Sequence, residues 1–477
     1  MSTAAIDLLS FDRDVRRAAG RVDQLHAWLA AGTLEARDRA RAFDPFEGVR
    51  HTATLSTYKS LVALEPSVLD IPLRDGLLRW VHELLQVRVG LELAIADADA
   101  MHALDTRLHP ARVAEAKRLA AAREAATGAS ARVAEPDAEV HTFADAFAAL
   151  LRAPDPSRAS SALDRAGELT APVAAVRKER RERRFEASRR LGLAHPFALA
   201  TKVDVATAAR ALLDATEPLA VELLAEARKK AEFPWRASSA IHAGLARDAR
   251  DGWPSRLTQR WLDEAFKALA PRGVNAGPLP EPLGAASFLR AASAWGFAWR
   301  MSGAPRSMPF GLARDPYPAS AFRFGFALAQ VVAEPSFQKH VLELPSRLAN
   351  GQARVLRSSL FHRARLVAAR ALLASEESSS SSSFEELAVR LFGAPLPEAM
   401  RDAWPEARVT DATSFLALLG TRAFVSSLVE RFDEDWFRNP RAGTHLTSLA
   451  CGPAFDADPP PEDAAAATAR GFEEALG

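Results

Sequence analysis

Leucine, valine and alanine recur at three- and four-residue intervals along nearly the whole chain, with Arg and Glu between them, a spacing that fits amphipathic helix and little else. The runs Leu77 to Ala98, Val203 to Lys230 and Ala353 to Ala374 show it most clearly. Alternating β patterns are scarce, and the abundant Ala, Leu and Arg are all good helix formers. Thirty prolines fall mostly between the periodic runs, as in Pro271 to Pro282 and Pro305 to Pro318. The expected fold is therefore all-α: many helices of moderate length joined by Pro-rich turns. No repeat period long enough for a solenoid emerges.

Two interruptions suggest how the chain is organised. Ser378 to Ser383 is an unbroken serine run with nothing apolar to bury, expected to be a surface loop. Ala153 to Ala175, with Pro154, Pro156, Ser and Gly, reads as a shorter loop. The division that follows is an N-terminal helical region at 1–200, a central one at 201–377 and a C-terminal one at 384–477, either separate or as one continuous domain. From Asp456 onward a Pro-rich turn is expected to lead into a terminal helix.

Charge and cysteine content exclude several function classes. Sixty-one basic residues against sixty acidic ones leave no net field to draw nucleic acid or an anionic membrane. Cys451 is the only cysteine, so neither an intrachain disulfide nor a multi-cysteine zinc site can form. Its setting, ACGP, reads as a loop, and the nearest histidine in sequence, His445, is linked to it by no motif. The opening MSTAAIDLLSFDRD has acids where a signal peptide needs a basic stretch and an apolar run, and no segment reads as long enough to span a bilayer. The chain is expected to be cytoplasmic.

Arg177 to Arg190, RKERRERRFEASRR, invites a nucleic-acid reading, but its acids are interleaved. Glu179 with Arg183, and Glu186 with Arg190, are i,i+4 pairs in the favourable order, as on a solvated helix face. Interleaved acids weaken counterion release, and no aromatic stacking series accompanies the run.

Metal and phosphate motifs are incomplete. His82 and Glu83 open HELLQ, half of a zincin helix, but the second imidazole belongs one turn on, where the chain has Gln86. His102, Asp105 and His109 fall near one helical face, yet Arg107 and Pro110 fit a helix end with surface histidines better than a metal site. There is no GxxxxGK[ST], no GxGxxG after a strand and no GxSxG elbow. No cofactor is expected.

The most unusual helical stretch is AASAWGFAWRM, Ala291 to Met301. Glycine inside a helix costs about 1 kcal/mol relative to alanine, so Gly296 implies close approach by another backbone or a ligand. Trp295, Gly296 and Trp299, with Tyr317 downstream, form the candidate cleft. Arg300 is the only ionisable group in the stretch, and no nucleophile, base or metal ligand accompanies it. The equal alternative is a core helix whose glycine admits a bulky neighbour.

Farther along, Gln352 to Ala374, Phe415 to Leu428, and FDEDWFRNPRAGTHLTSL at Phe432 to Leu449 together resemble the C-terminal portion of helical zinc peptidases of the oligoendopeptidase type. Those proteins pair a long Arg-bearing helix with a later D-W, N, A-G and leucine pattern. The matching positions are Asp435, Trp436, Asn439, Ala442, Gly443 and Leu446. The match covers about a third of the chain, and its motifs are structural.

The resemblance implies a two-lobed helical architecture and lays the family's metal helix, HExGHAxH in outline, on Ser293 to Arg300. Gly296 and Ala298 match; Ser293 stands for the first histidine, Ala294 for the glutamate and Phe297 for the second histidine. The third ligand would fall near Tyr317 to Phe322, where there is no acid and Asp315 is the nearest candidate. With ligands and general base replaced, the family's metal-assisted hydrolysis cannot proceed, which implies a pseudoenzyme.

Three function classes follow: a noncatalytic peptidase-like protein binding a peptide or protein partner, a helical scaffold, and an enzyme whose site is assembled from distant residues. The first is the leading expectation.

Overall fold

The structure, a computed structural model, describes residues 6–31, 34–65, 67, 70–99, 156–231, 249–269, 273–277, 279, 285–376, 381–393, 395–396, 409–454 and 463–477. These residues fold as helices without a strand among them, bearing out the all-α expectation. The N-terminal helices are α1 Leu8–Ala31, α2 Leu34–Arg41, α3 Leu55–Val62 and α4 Ile71–Val89, followed by α5 Pro156–Arg190, α6 Val205–Ala215 and α7 Glu217–Ala231. Next come α8 Gln259–Ala265, α9 Ala285–Ser302, α10 Phe310–Ala313, α11 Ala319–Val332, α12 Pro335–His340 and α13 Ser346–Ser375. The remaining helices are α14 Ser381–Phe392, α15 Val409–Phe432, α16 Pro440–Cys451 and α17 Ala464–Leu476.

Several helices begin where a side chain satisfies a free backbone N–H. Thr54 accepts from Thr57 N before α3, Asp204 from Thr207 N before α6, and Thr258 from Trp261 N before α8. Asn439 accepts from Arg441 N before α16, with Pro440 in the first turn, where its missing donor is harmless.

Some expected boundaries move. The Leu77 to Ala98 run is broken at Gly90, a turn between two helical stretches, and the Arg180 side chain of α5 passes 3.3 Å from where its β-carbon would stand. Val203 to Lys230 is two helices: Thr216 folds its hydroxyl back on Leu212 O, and Pro218 allows only a new start. The expected loop at Ala153 to Ala175 is helical from Pro156, which takes the first position of α5. Ser381 to Ser383 open α14, correcting the loop at those positions, while Ser378 to Ser380 lie outside the described residues. Cys451 is exposed at the last position of α16 rather than in a loop.

Three apolar clusters make up most of the core. One joins α1, α3 and α4 to Phe310 and Leu312 of α10. Asp12 stitches the same seam, accepting from Phe310 N at 2.8 Å and Gly311 N at 2.7 Å. The second centres on α9 and α11 and takes in Phe266, Phe337, Trp436 and Leu446. The third packs α6, α13, α14 and the first half of α15. Residues of the central and C-terminal regions thus share two of these clusters.

Thr410–Phe432, nearly all of α15, is long and apolar enough to cross a membrane by length and composition, contrary to the expectation that no segment is. In the fold more than half of it is buried, with Phe415, Leu419 and Leu428 in the apolar clusters.

Candidate functional site

Helix α9 crosses α11 at very close range, and glycine on each side makes that possible. A β-carbon on Gly296 would meet Phe324 O at 2.7 Å, and one on Gly325 would meet Ser293 O at 2.6 Å. The close approach inferred for Gly296 is therefore made by a neighbouring helix.

That crossing fixes which face of α9 points inward. Trp295 and Trp299 are each 1% exposed; Phe266 stacks on Trp295 at 5.2 Å and Phe324 meets Trp299 edge-on at 5.7 Å. Tyr317 is 0% exposed. The expected cleft at Trp295, Gly296, Trp299 and Tyr317 is corrected accordingly: these side chains are interior. In a helix apolar on every side, periodicity cannot say which aromatic faces the core.

The flank of α9 beside the crossing is partly reachable. Arg290 is exposed, and Ser293, Ala294 and Phe297 are half-buried, at the i, i+3, i+4 and i+7 positions of one face. The positions that the peptidase resemblance assigns to its first histidine, glutamate and second histidine thus share the accessible side. Phe297 lies against Phe322 of α11, ring centroids 5.1 Å apart.

A guanidinium from α13 enters beside this face. Arg363 donates through Nη2 to Ser293 Oγ at 3.1 Å and lies over the Phe326 ring at 5.1 Å. Its Nη1 is sealed from solvent without a hydrogen-bond partner. Burial, with Arg290 as a like-charged neighbour, pushes Arg363 down to about 10. Leaving a buried donor unsatisfied costs about 1–3 kcal/mol, more when it is charged. Sequence reasoning missed both arginines: Arg290 was legible only once the accessible face was known, and no local spacing links it to Arg363.

A second polar constellation grows from HELLQ. His82 Nδ1 lies 2.5 Å from the Tyr317 hydroxyl, and Gln86 Nε2 reaches Ser188 Oγ at 2.8 Å and His82 Nε2 at 3.4 Å. With Gln86 donating to Nε2, the His82 proton sits on Nδ1 and is donated to Tyr317, whose hydroxyl is free to donate to Glu83. Burial holds His82 down to about 4, raises Glu83 against the pull of Arg184, and pushes Tyr317 well above its ordinary value. Arg79 grips Asp315 with two hydrogen bonds, 3.0 and 2.6 Å, while Asp315 accepts from Tyr317 N. Burial outweighs these partners and brings Asp315 up to about 6.

His82, Gln86, Ser188 and Tyr317 are each 0% exposed, so no substrate reaches them. This network is a latch joining α4 and α5 to the segment before α11. Trp80 reinforces it by donating to Arg314 O at 2.8 Å. Gln86 occupies the missing-ligand position as a hydrogen-bond partner, and Asp315, the nearest acid for a third ligand, is committed to Arg79.

The remaining sequence candidates have structural duties. Trp436, Ala442, Gly443 and Leu446 are buried, Asp435 pairs with Arg438 and Asn439 caps α16. A β-carbon on Gly443 would strike Leu269 O at 2.5 Å. Arg300 donates to Ala450 O and Pro453 O, holding the end of α16. In the charged run the Glu179–Arg183 and Glu186–Arg190 pairs form, but Arg177 binds Asp97 and Phe185 is buried, so only part of that helix is solvated. His102, Asp105 and His109 lie outside the described residues. Among the described residues no three His, Cys, Asp or Glu side chains gather as metal ligands would.

No protein-family model matches the chain, and no curated protein does.

Proposed function

We propose that this chain is a noncatalytic, peptidase-like helical protein that binds a peptide or protein partner along the accessible face of α9. The observation that carries the reading is the chemistry of that face: Ser293, Ala294 and Phe297, where the resemblance places metal ligands and base, share an accessible side and none can activate water or move a proton. Phe297 and Phe322 offer an apolar surface beside a cationic one, a combination suited to a peptide.

A degenerate peptide library passed over the immobilised full chain tests the reading. An environment-sensitive dye on Ser293→Cys, in a Cys451→Ser background, reports where the captured peptides bind. Captured peptides are expected to shift the dye emission and to remain intact. Cleavage products would return the protein to the enzymes, and capture without any change at position 293 would move the site elsewhere.

A further inference from the structure

Helix α17 packs on α13 and α15, and together with the end of α11 they enclose a cavity of about 190 Å³ that is partly open to solvent. From α17 it is lined by Thr468, Gly471, Phe472 and Ala475, the i, i+3, i+4 and i+7 positions of one face. Leu360 of α13 and Leu418 of α15 join Phe472 in an apolar wall. An apolar cavity of about 150 Å³ holds benzene, so this one has room for a single ring or a short branched chain.

Two guanidiniums line the same cavity, and contacts with one face of α17 place both. Arg357 Nη1 donates to Ala475 O at 3.4 Å, while Arg422 Nη1 lies where a β-carbon on Gly471, one turn earlier, would fall. Glycine at position 471 is what leaves Arg422 that place. Their ion pairs are unequal. Arg357 donates to Glu334 Oε2 at 2.7 Å, and Glu334 lines the cavity as well, so these two charges cancel within it. Arg422 donates to Glu474 Oε2 at 2.9 Å, but Glu474 is outside the lining and its side chain is 68% exposed. A pair that exposed is worth little and is readily exchanged. The Nε and Nη1 of Arg422 have no protein acceptor among the described residues and, unlike Nη1 of Arg363, are not sealed from solvent. The cavity wall therefore carries one uncancelled positive charge that a ligand can reach.

We propose that this cavity binds a small free monocarboxylic acid with an apolar body. Its carboxylate sits on the Arg422 guanidinium in place of Glu474, and its ring or branched chain lies among Leu360, Leu418 and Phe472. A planar guanidinium offers a carboxylate two parallel donors, and the Gln330 amide lines the same cavity as a neutral donor. The single uncancelled charge matches a monoanion, and the volume limits the body to one ring. No residue of α9 lines this cavity, so the proposal stands or falls apart from peptide binding on that helix.

Fluorine NMR of sodium para-fluorophenylacetate mixed with the full chain tests it, with para-fluorophenylacetamide as the uncharged counterpart. The carboxylate is expected to bind saturably, to be displaced by unlabelled phenylacetate but not by the same concentration of acetate, and to bind about tenfold more tightly than the amide. Arg422→Gln should weaken the carboxylate about tenfold and leave the amide unchanged, a selectivity that general damage to the fold does not produce. Arg441→Gln, an exposed change in α16, should bind as wild type does.

Gly471→Ala gives a second measurement that keeps the charge. Its β-carbon displaces the Arg422 guanidinium while helix propensity rises, so carboxylate affinity should fall without a fall in melting temperature. Absence of carboxylate binding, equal affinity for carboxylate and amide, or full carboxylate affinity in both Arg422→Gln and Gly471→Ala overturns the proposal.

Discussion

Gly296 and Phe324 are packed so closely that a single added methyl on the glycine would stand 2.7 Å from the phenylalanine's carbonyl oxygen. Because the obstacle is backbone, it cannot rotate away as a side-chain tip would. This contact holds α9 against α11, with Trp295 and Trp299 in the core and Arg290, Ala294 and Phe297 exposed or half-buried on the flank.

Gly296→Ala is accordingly expected to destabilise by about 1–3 kcal/mol through overpacking. Gly351 in α13 has nothing within 4 Å of its β-position, and Gly351→Ala should stabilise by up to about 1 kcal/mol. Thermal melts of the two variants beside wild type decide it. A rise in melting temperature for Gly296→Ala would contradict the crossing.

The latch makes stability depend on pH in a direction that His82 sets. Its folded value near 4 lies below the ordinary 6.5, so the unfolded chain takes up the proton first as pH falls. His82 therefore imposes no penalty above about 6.5 and lowers stability toward pH 4, by up to about 1.4 kcal/mol per pH unit. Asp315, raised above its ordinary value, acts in the opposite direction but is common to wild type and His82→Gln. The stability difference between these two proteins, from urea unfolding across this range, should move in favour of His82→Gln as pH falls. A difference that stays constant would refute the burial of a neutral imidazole.

Breaking the Arg79–Asp315 pair should cost more than replacing it. Asp315 is 3% exposed, so Arg79→Met strands a buried carboxylate at a cost of about 3–5 kcal/mol. Adding Asp315→Leu should recover much of that loss. Chemical denaturation of both single variants and the double variant closes the cycle; additive losses would mean that the pair does not interact.

Zinc binding is expected to be absent despite HELLQ. His82 is engaged on both ring nitrogens, and Gln86 stands where a second imidazole would. Elemental analysis of protein purified without chelator should find no stoichiometric metal; about one zinc per chain would overturn this.

Much of the fold was legible because helical periodicity and capping are local. The Glu179–Arg183 pair and the close approach at Gly296 both follow from nearby residues. The Gly90 break was hidden because a single glycine in a periodic run is compatible with an unbroken helix. Tyr317 looked like a cleft residue because its partner His82 is 235 positions away and no spacing relates them. The direction of α9 was invisible for a different reason: Trp295, Phe297 and Trp299 are alike in hydrophobicity, and only the glycine contact with α11 separates Phe297 from the tryptophans.

Comparing Phe297→Ala with Trp299→Ala separates the core face of α9 from the flank proposed to bind a peptide. Each variant is measured for melting temperature and for affinity toward peptides captured by wild type. Trp299→Ala should lose about 3–5 kcal/mol of stability, whereas Phe297→Ala should lose peptide affinity with a much smaller change in melting temperature. Unchanged peptide affinity in Phe297→Ala would rule out peptide binding on that flank.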